Sequence, residues 1–144
     1  METKDHMIQT LVFGLIASIV MILIMCSVVK AEVITDEKAV QCILGEARGE
    51  YAQYGYNSFL AIADALRNRG KTQGVYGCGV NLAKEAAFLA NKGYYKKALQ
   101  AWIDSKTVEL VKGASHWEST KFKVPYWAKD MQVTYQVGHH KFYK

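Results

Sequence analysis

The sequence has little of what builds small crosslinked scaffolds or flexible linkers. It contains one proline, Pro125, and three cysteines, Cys26, Cys42 and Cys78, in 144 residues. Three cysteines are too few for a disulfide scaffold, and no C-x-x-C pair occurs, which argues against a zinc ribbon or a thioredoxin-type redox site. Internal repeats and Pro- or Ser-rich linkers are absent as well. Hydrophobic residues make up 51%, charged residues 22% and aromatics 12% of the chain, a balance that excludes an intrinsically disordered or collagen-like protein. The length suits one domain.

Charge is missing from one stretch. Between His6 and Lys30 there is no charged residue, and residues 7–29 include Leu11, Val12, Phe13, Leu15, Ile16, Ile19, Val20 and the run Met21 to Met25. At about 1.5 Å per residue, a helix of that length spans a bilayer core of about 30 Å. Ala31, just after Lys30, also suits a signal peptidase, so the stretch reads either as a retained membrane anchor or as a signal peptide. The expected division is residues 1–31 as anchor or signal and residues 32–144 as the working domain. A cut after Ala31 would secrete that domain; with the anchor retained, it is the function expected of the domain, and not the stretch itself, that requires it outside the cytoplasm, in the periplasm or at the cell surface. Lys4 and Lys30 flank the stretch one on each side, so charge bias does not fix its orientation.

The formal charge is +5, and the charges within residues 1–31 cancel, so residues 32–144 keep the whole excess. A basic domain outside the cytoplasm suits an anionic polymer or surface. Nucleic acid is not an expected partner, because the lysines are scattered and form no stripe at helical spacing. Cys42 and Cys78 can pair in an oxidising compartment, although two buried thiols are the plainer expectation.

The first half of this domain reads as helical. Thr35 or Asp36 can cap a helix through Ala47, with Ala39, Val40, Ile43, Leu44 and Ala47 on one stripe and Gly49 as the exit. A second helix is expected from Asn57 to Arg69, with Phe59, Ile62, Ala63 and Leu66 inward and Gly70 as its C-terminal cap. Asn81–Ala90 and Tyr94–Ile103 give two more, burying Leu82, Ala86 and Leu89 in one and Tyr95, Ala98, Leu99, Trp102 and Ile103 in the other. After Gly113 the texture turns aromatic and β-branched. Val133, Tyr135 and Val137 alternate before Gly138, as in a short hairpin.

On the first helix, at 100° per residue, Glu46 falls about 60° and Glu50 about 20° from Ile43. Glu46 thus flanks the apolar stripe, and Glu50 continues it past the expected helix end. A carboxylate at such a margin is partly desolvated and suited to hold a proton near neutral pH, as a general acid must. Gly45 and Gly49 lie on the adjacent face and leave room for something bulky. Read from periodicity alone, the same cluster is also a solvated helix end.

Three segments carry a resemblance. Gly45-Glu46-Ala47-Arg48-Gly49-Glu50, with Ala61 to Arg69 and Gly74-Val75-Tyr76-Gly77 behind it, is the first. Gly113-Ala114-Ser115-His116-Trp117 with Val124-Pro125-Tyr126-Trp127-Ala128-Lys129 is the second, and Val137-Gly138-His139-His140-Lys141-Phe142-Tyr143 is the third. In this order they resemble the bacterial and phage cell wall hydrolase family typified by spore-cortex-lytic enzymes, over about residues 39–143. The resemblance implies an α+β, mainly α, lysozyme-like helical domain with a short C-terminal β-hairpin. It also implies cleavage of the peptidoglycan glycan strand between N-acetylmuramic acid and N-acetylglucosamine, by lytic transglycosylation and without metal or cofactor.

Carried onto this sequence, the family's catalytic glutamate is Glu46. Protonated Glu46 would donate to the glycosidic oxygen, and its carboxylate would then take a proton from the sugar's own 6-hydroxyl, closing a 1,6-anhydro ring. Glu50 is the candidate for a second catalytic carboxylate, or else anchors the loop through Arg48 or Arg69. His116, Trp117, Tyr126, Trp127 and His140 are candidates for lining a sugar cleft. Each aromatic is equally readable as core packing, with Trp127 assigned to the core and His116 to the cleft. The chain departs from the family pattern at Glu118, where a second His is common, and at His139, where Asn is usual.

Two other classes fit some of these residues. His116, Glu118, His139 and His140 are zinc-ligand types, as in a peptidoglycan amidase or peptidase, although no His-Glu-x-x-His run is present. Cys78 with His116 would make a nucleophilic pair. A membrane-anchored, non-enzymatic glycan-binding protein is the remaining reading, against which stands the cost of keeping a carboxylate such as Glu46 at a buried edge without a task.

Overall fold

Helix α1 covers Asp36–Tyr54 in the computed structural model of the chain, which describes residues 32–144. The expected anchor or signal at residues 1–31 lies outside the described residues, and among the described ones no helix is long and apolar enough to cross a membrane. Thr35 caps α1 as expected, its Oγ1 accepting the Lys38 N–H at 3.2 Å, with Asp36 and Glu37 at the positive end of the helix.

The helix does not leave at Gly49. It runs on to Tyr54 and ends at Gly55, whose φ is 67°. A glycine inside a helix costs about 1 kcal/mol. Continuing the helix places the Tyr51 ring 4.5 Å from Phe59 and 4.9 Å from Tyr94, two aromatic contacts worth about 1 kcal/mol each, which outweigh that cost. Glu50 therefore sits within the helix, one turn beyond Glu46.

Helix α2, Tyr56–Arg69, ends at Gly70 in the left-handed conformation, as the sequence predicts. Phe59, Ala63 and Leu66 are fully buried and Ile62 nearly so, together with Ile43 and Leu44 of α1. The burial wraps round α2 and takes in Asp64, whose carboxylate accepts the Val111 N–H at 2.8 Å. Burial holds its pKa above the ordinary carboxylate value, and the backbone hydrogen bond pulls the other way.

The chain then crosses to α1 as a 3₁₀ turn, Tyr76–Gly79. Where one helix is expected over Asn81–Ala90, a second 3₁₀ turn, Ala83–Glu85, leads into the short helix α3, Ala86–Asn91. The Asn81 side chain accepts the Ala83 N–H at 3.0 Å, an Asx turn that delays the helix. Leu82 and Leu89 are buried as expected. Helix α4, Tyr94–Asp104, buries Tyr94, Ala98, Ala101 and Trp102. Tyr95 and Ile103, expected inside, are exposed. The Trp102 indole donates to Asp36 at 2.9 Å, and the Arg67 guanidinium lies over its ring.

The hairpin expected near the C-terminal end is present and carries a third strand. Strands β1 (His116–Ser119), β2 (Val133–Val137) and β3 (His140–Tyr143) form an antiparallel sheet in the order β1-β3-β2. Val137 pairs with His140 across the turn, and Ser119 pairs with His140 from the other side. Because side chains alternate along a strand, β3 turns buried His140 and Phe142 to one face and Lys141 to the other. The described residues are thus mainly helical, with a small antiparallel sheet, and form one compact unit.

Candidate active site

One face of α1 carries the site. Lys38, Gln41, Cys42, Gly45 and Glu46 recur at helical spacing, and each meets the strip from Tyr76 to Val80. The Lys38 ammonium donates to the Cys78 carbonyl at 3.0 Å, and the Gln41 amide donates to the Val80 carbonyl at 2.6 Å. Gly45 and Gly77 let the two backbones touch. A Cβ on Gly45 would fall on the Gly77 carbonyl, and one on Gly77 would come within 2.6 Å of the Cys42 carbonyl oxygen and the Glu46 nitrogen. Cys42 and Cys78 are joined in a disulfide. The expectation of two buried thiols is corrected by this close approach, and no thiol at Cys78 is left to pair with His116.

The turn delivers one group to Glu46. The Gly77 N–H donates to Glu46 Oε1 at 2.6 Å. The other oxygen, Oε2, lies 3.8 Å from His140 Nε2, with the Glu46 side chain only 11% exposed. His140 Nδ1 in turn lies 3.2 Å from Glu50 Oε2. Glu50 also accepts the His139 N–H, at 3.2 and 3.3 Å from its two oxygens. The imidazole nitrogens thus face two carboxylates one turn apart on α1. Gly138 makes the arrangement possible, since its φ is 54° and a Cβ there would run into the Glu50 carboxylate and the Tyr54 ring.

Two open hollows meet at Glu46. The first, about 450 Å³, runs past Arg69, His116, Trp117, Trp127 and His140. The second, about 640 Å³, runs past Gly49, Glu50, Glu85, Phe88 and His139. Glu46, Tyr76, Ser119, Phe122 and His140 border both, so together they make a groove with one carboxylate midway along it. Burial holds the His116 pKa below its ordinary value, with the positive charges of Arg69 and Lys71 acting the same way. The ring, with Nδ1 3.0 Å from the Ser115 hydroxyl, is thus a neutral donor and acceptor at pH 7.

The structure brings together most of the residues singled out above. Glu46, His116, Trp117, Trp127 and His140 line the first hollow, and Glu46, Glu50 and His140 line the second. Trp127, assigned to the core, stands at the groove wall, its ring centre 5.5 Å from both His116 and Tyr143. Tyr126 borders neither hollow and is 83% exposed. Glu50 reaches neither Arg48 nor Arg69. Arg48 instead makes a forked pair with Glu85, both bonds 2.8 Å long. His116, Glu118, His139 and His140 are not gathered into a metal site. Among the described residues no group of three or more His, Cys, Asp or Glu side chains is placed to hold an ion.

No protein-family model matches the chain, and no curated protein matches it. Among solved structures it is similar to the catalytic domain of the Bacillus cereus SleB protein, at 19% identity and a TM-score of 0.52, over 76% of this chain and 89% of that one. The fold is that of the SleB catalytic domain. A second likeness is to the catalytic domain of the germination-specific lytic transglycosylase SleB from Bacillus anthracis, at 19% identity and a TM-score of 0.51, covering 76% and 93% of the two chains. The likeness read from the three motifs therefore meets a structural neighbour of the expected kind, at the level of the fold.

Three contributors escape the sequence reading. Tyr76 and Phe122 rim both hollows while 82% and 70% exposed, and both stand outside any periodic segment that would orient them. Gly77 supplies its backbone rather than a side chain. Its sequence signals are its place in the Gly74-Val75-Tyr76-Gly77 segment and the crowding of Gly74, Gly77 and Gly79 around Cys78, neither of which names a role for its N–H.

Proposed function

We propose that the chain cleaves the glycan strand of peptidoglycan between N-acetylmuramic acid and N-acetylglucosamine as a lytic transglycosylase, with Glu46 as its only acid and base. The observation that carries the reading is the placement of one carboxylate where the two hollows meet, with one oxygen on the Gly77 N–H and the other 3.8 Å from His140 Nε2. The shared fold, with a neighbour described as a lytic transglycosylase, supports it.

A sugar polymer laid along the groove places one residue on each side of Glu46. The Glu46 carboxyl protonates the glycosidic oxygen as the oxocarbenium-like sugar develops, and the bond breaks. The carboxylate formed then accepts the proton of the 6-hydroxyl as that oxygen attacks the anomeric carbon. The nucleophile belongs to the substrate, so no second carboxylate is required. Glu50, engaged by His139 and His140, orients the imidazole beside Glu46. Neutral His116 and the aromatic rims of Tyr76, Trp117, Phe122 and Trp127 serve N-acetyl groups and pyranose faces. In this reading residues 1–31 anchor or export the chain, through residues 7–29 in the anchored case, and residues 32–144 work outside the cytoplasm.

The test is digestion of peptidoglycan sacculi by the purified chain beside Glu46→Gln, with mass spectrometry of the released muropeptides. Fragments one water lighter than hydrolysed ones, reduced on the order of 10²–10⁴-fold in the variant, are the expected result. Reducing muramic ends would transfer a catalytic role to Glu50. Cleavage confined to stem peptides, or binding without cleavage, would refute the proposal.

A further inference from the structure

The Tyr76–Gly79 turn has almost nothing of its own to hold it in place. Gly77 and Gly79 have no side chains, Tyr76 is 82% exposed, and Cys78 is the one side chain that the turn buries. That side chain is bonded to Cys42, on α1 one turn before Glu46. Val75 and Val80, on either side of the turn, pack against the core, and the remaining tethers to α1 are the Lys38 and Gln41 hydrogen bonds to the carbonyls of Cys78 and Val80. Both come from long side chains that must be ordered to make them. Between the two cysteines the geometry is fixed by contact, with Gly45 against Gly77, and the product of that contact is the 2.6 Å bond from the Gly77 N–H to Glu46.

We infer that the Cys42–Cys78 crosslink is the positioning device for Glu46, acting through the Gly77 N–H, so that the chain cuts glycan when oxidised and loses that capacity when reduced. The activity arm of this inference rests on the function proposed above, whereas the structural arm does not. Reduction by an external dithiol transfers two electrons and two protons, converting Cys42 and Cys78 to thiols and the dithiol to its own disulfide. Untethered, the glycine-rich turn leaves α1 and the Glu46 carboxylate loses its fixed donor. Displacing a reacting group by about 1 Å costs on the order of 100-fold in rate. The same chain is therefore idle in a reducing cytoplasm and competent in an oxidising space.

The experiment compares the purified full chain in a mild non-ionic detergent, oxidised and after dithiothreitol, with the Cys42→Ala/Cys78→Ala chain. Backbone amide NMR follows Gly77, with Leu66 and Phe142 reporting on the core, and turnover is measured on solubilised glycan strands. On reduction the Gly77 amide should move toward its unbonded position while Leu66 and Phe142 stay. Turnover should fall on the order of 100-fold with KM changed far less. Oxidised glutathione should restore both in the wild type and neither in the double variant.

A reduced chain that keeps its turnover, or an unmoved Gly77 amide, overturns the inference. So does collapse of the Leu66 and Phe142 signals together with Gly77, because the crosslink would then hold the whole fold rather than the site. If the oxidised chain releases no glycan fragment, the proposed function fails, and the Gly77 amide still decides whether the crosslink sets Glu46.

Discussion

Gly45→Ala and Gly49→Ala make the same chemical change in the same helix, and the structure predicts opposite outcomes. Helix propensity favours alanine over glycine by about 1 kcal/mol at either position. Nothing lies within 4 Å of a Cβ built on Gly49, so that variant should gain about 0.5–1 kcal/mol. A Cβ on Gly45 meets the Gly77 carbonyl, a backbone group that no rotamer change can move and that the neighbouring disulfide holds in place. Overpacking costs about 1–3 kcal/mol where neighbours can adjust. With this rigid neighbour the upper end applies, and after the propensity gain about 2 kcal/mol is lost. For a domain of this size about 4 °C accompanies each kcal/mol. Thermal unfolding followed by circular dichroism under oxidising conditions should show Gly45→Ala melting about 8 °C low and Gly49→Ala about 2–4 °C high. A Gly45→Ala chain as stable as the wild type would mean that the Tyr76–Gly79 turn does not sit on α1, and the account of the site would fall with it.

Other consequences are open to measurement. Gly138→Ala forces a Cβ into a left-handed position, at a cost of about 1–2 kcal/mol, and against the Glu50 carboxylate; it should lower both the melting temperature and turnover, and normal values of both would contradict the assigned role of that turn. Phe122→Ala removes an exposed groove rim, so stability should change by less than about 0.5 kcal/mol while KM for glycan strands rises; an unchanged KM would remove Phe122 from the groove.

A pH effect follows from His116, whose folded-state pKa lies below its ordinary 6.5. Above that value both states are neutral and nothing is lost. As pH falls through 6.5 the unfolded chain takes up a proton that the folded chain resists, so stability declines until the folded pKa is passed. His116→Gln should flatten the urea midpoint between about pH 7 and pH 5, and an equal slope in both proteins would count against the buried, neutral imidazole.

What could be read in advance depended on whether a residue's surroundings were local in the chain. The stripes of α1 and α2, the Thr35 cap and the Gly70 stop are set by neighbours three and four residues away, and all were legible. Gly49 misled because its local preference is outweighed by Tyr51 meeting Phe59 and Tyr94, a contact between separate helices. For α4 the period was legible and the face was not. Tyr94 and Ala101 lie inward while Tyr95 and Ile103 lie outward, since the choice belongs to the helices it packs against. The candidate site divides the same way. Periodicity put Glu46 beside the apolar stripe without choosing between a site and a solvated helix end, and both Glu46 and His140 were singled out by the three motifs of the resemblance. Gly77, Tyr76 and Phe122 enter through backbone position or loop path, which no periodicity encodes. Gly45 and Gly49 looked alike as vacant positions and both border the second hollow, yet the space over the first is filled by the backbone of Gly77 and only that over the second is open.

The strand order β1-β3-β2 has a consequence for the timing of assembly. Among the described residues strand β3 follows every other element, and it lies in the middle of the sheet. Its first residue, His140, approaches Glu46 and Glu50 of α1, and the His139 N–H just before it holds Glu50. A nascent chain still awaiting that segment has α1 complete, but its two edge strands have no partner between them and Glu50 has no donor. Because pairing with α1 spans most of the domain, it is a late, non-local event in folding. Stalling, clipping or frameshift just ahead of His139 would therefore leave a molecule with Glu46 present and its surroundings absent, and those surroundings are completed in one step when β3 slots between the other two strands.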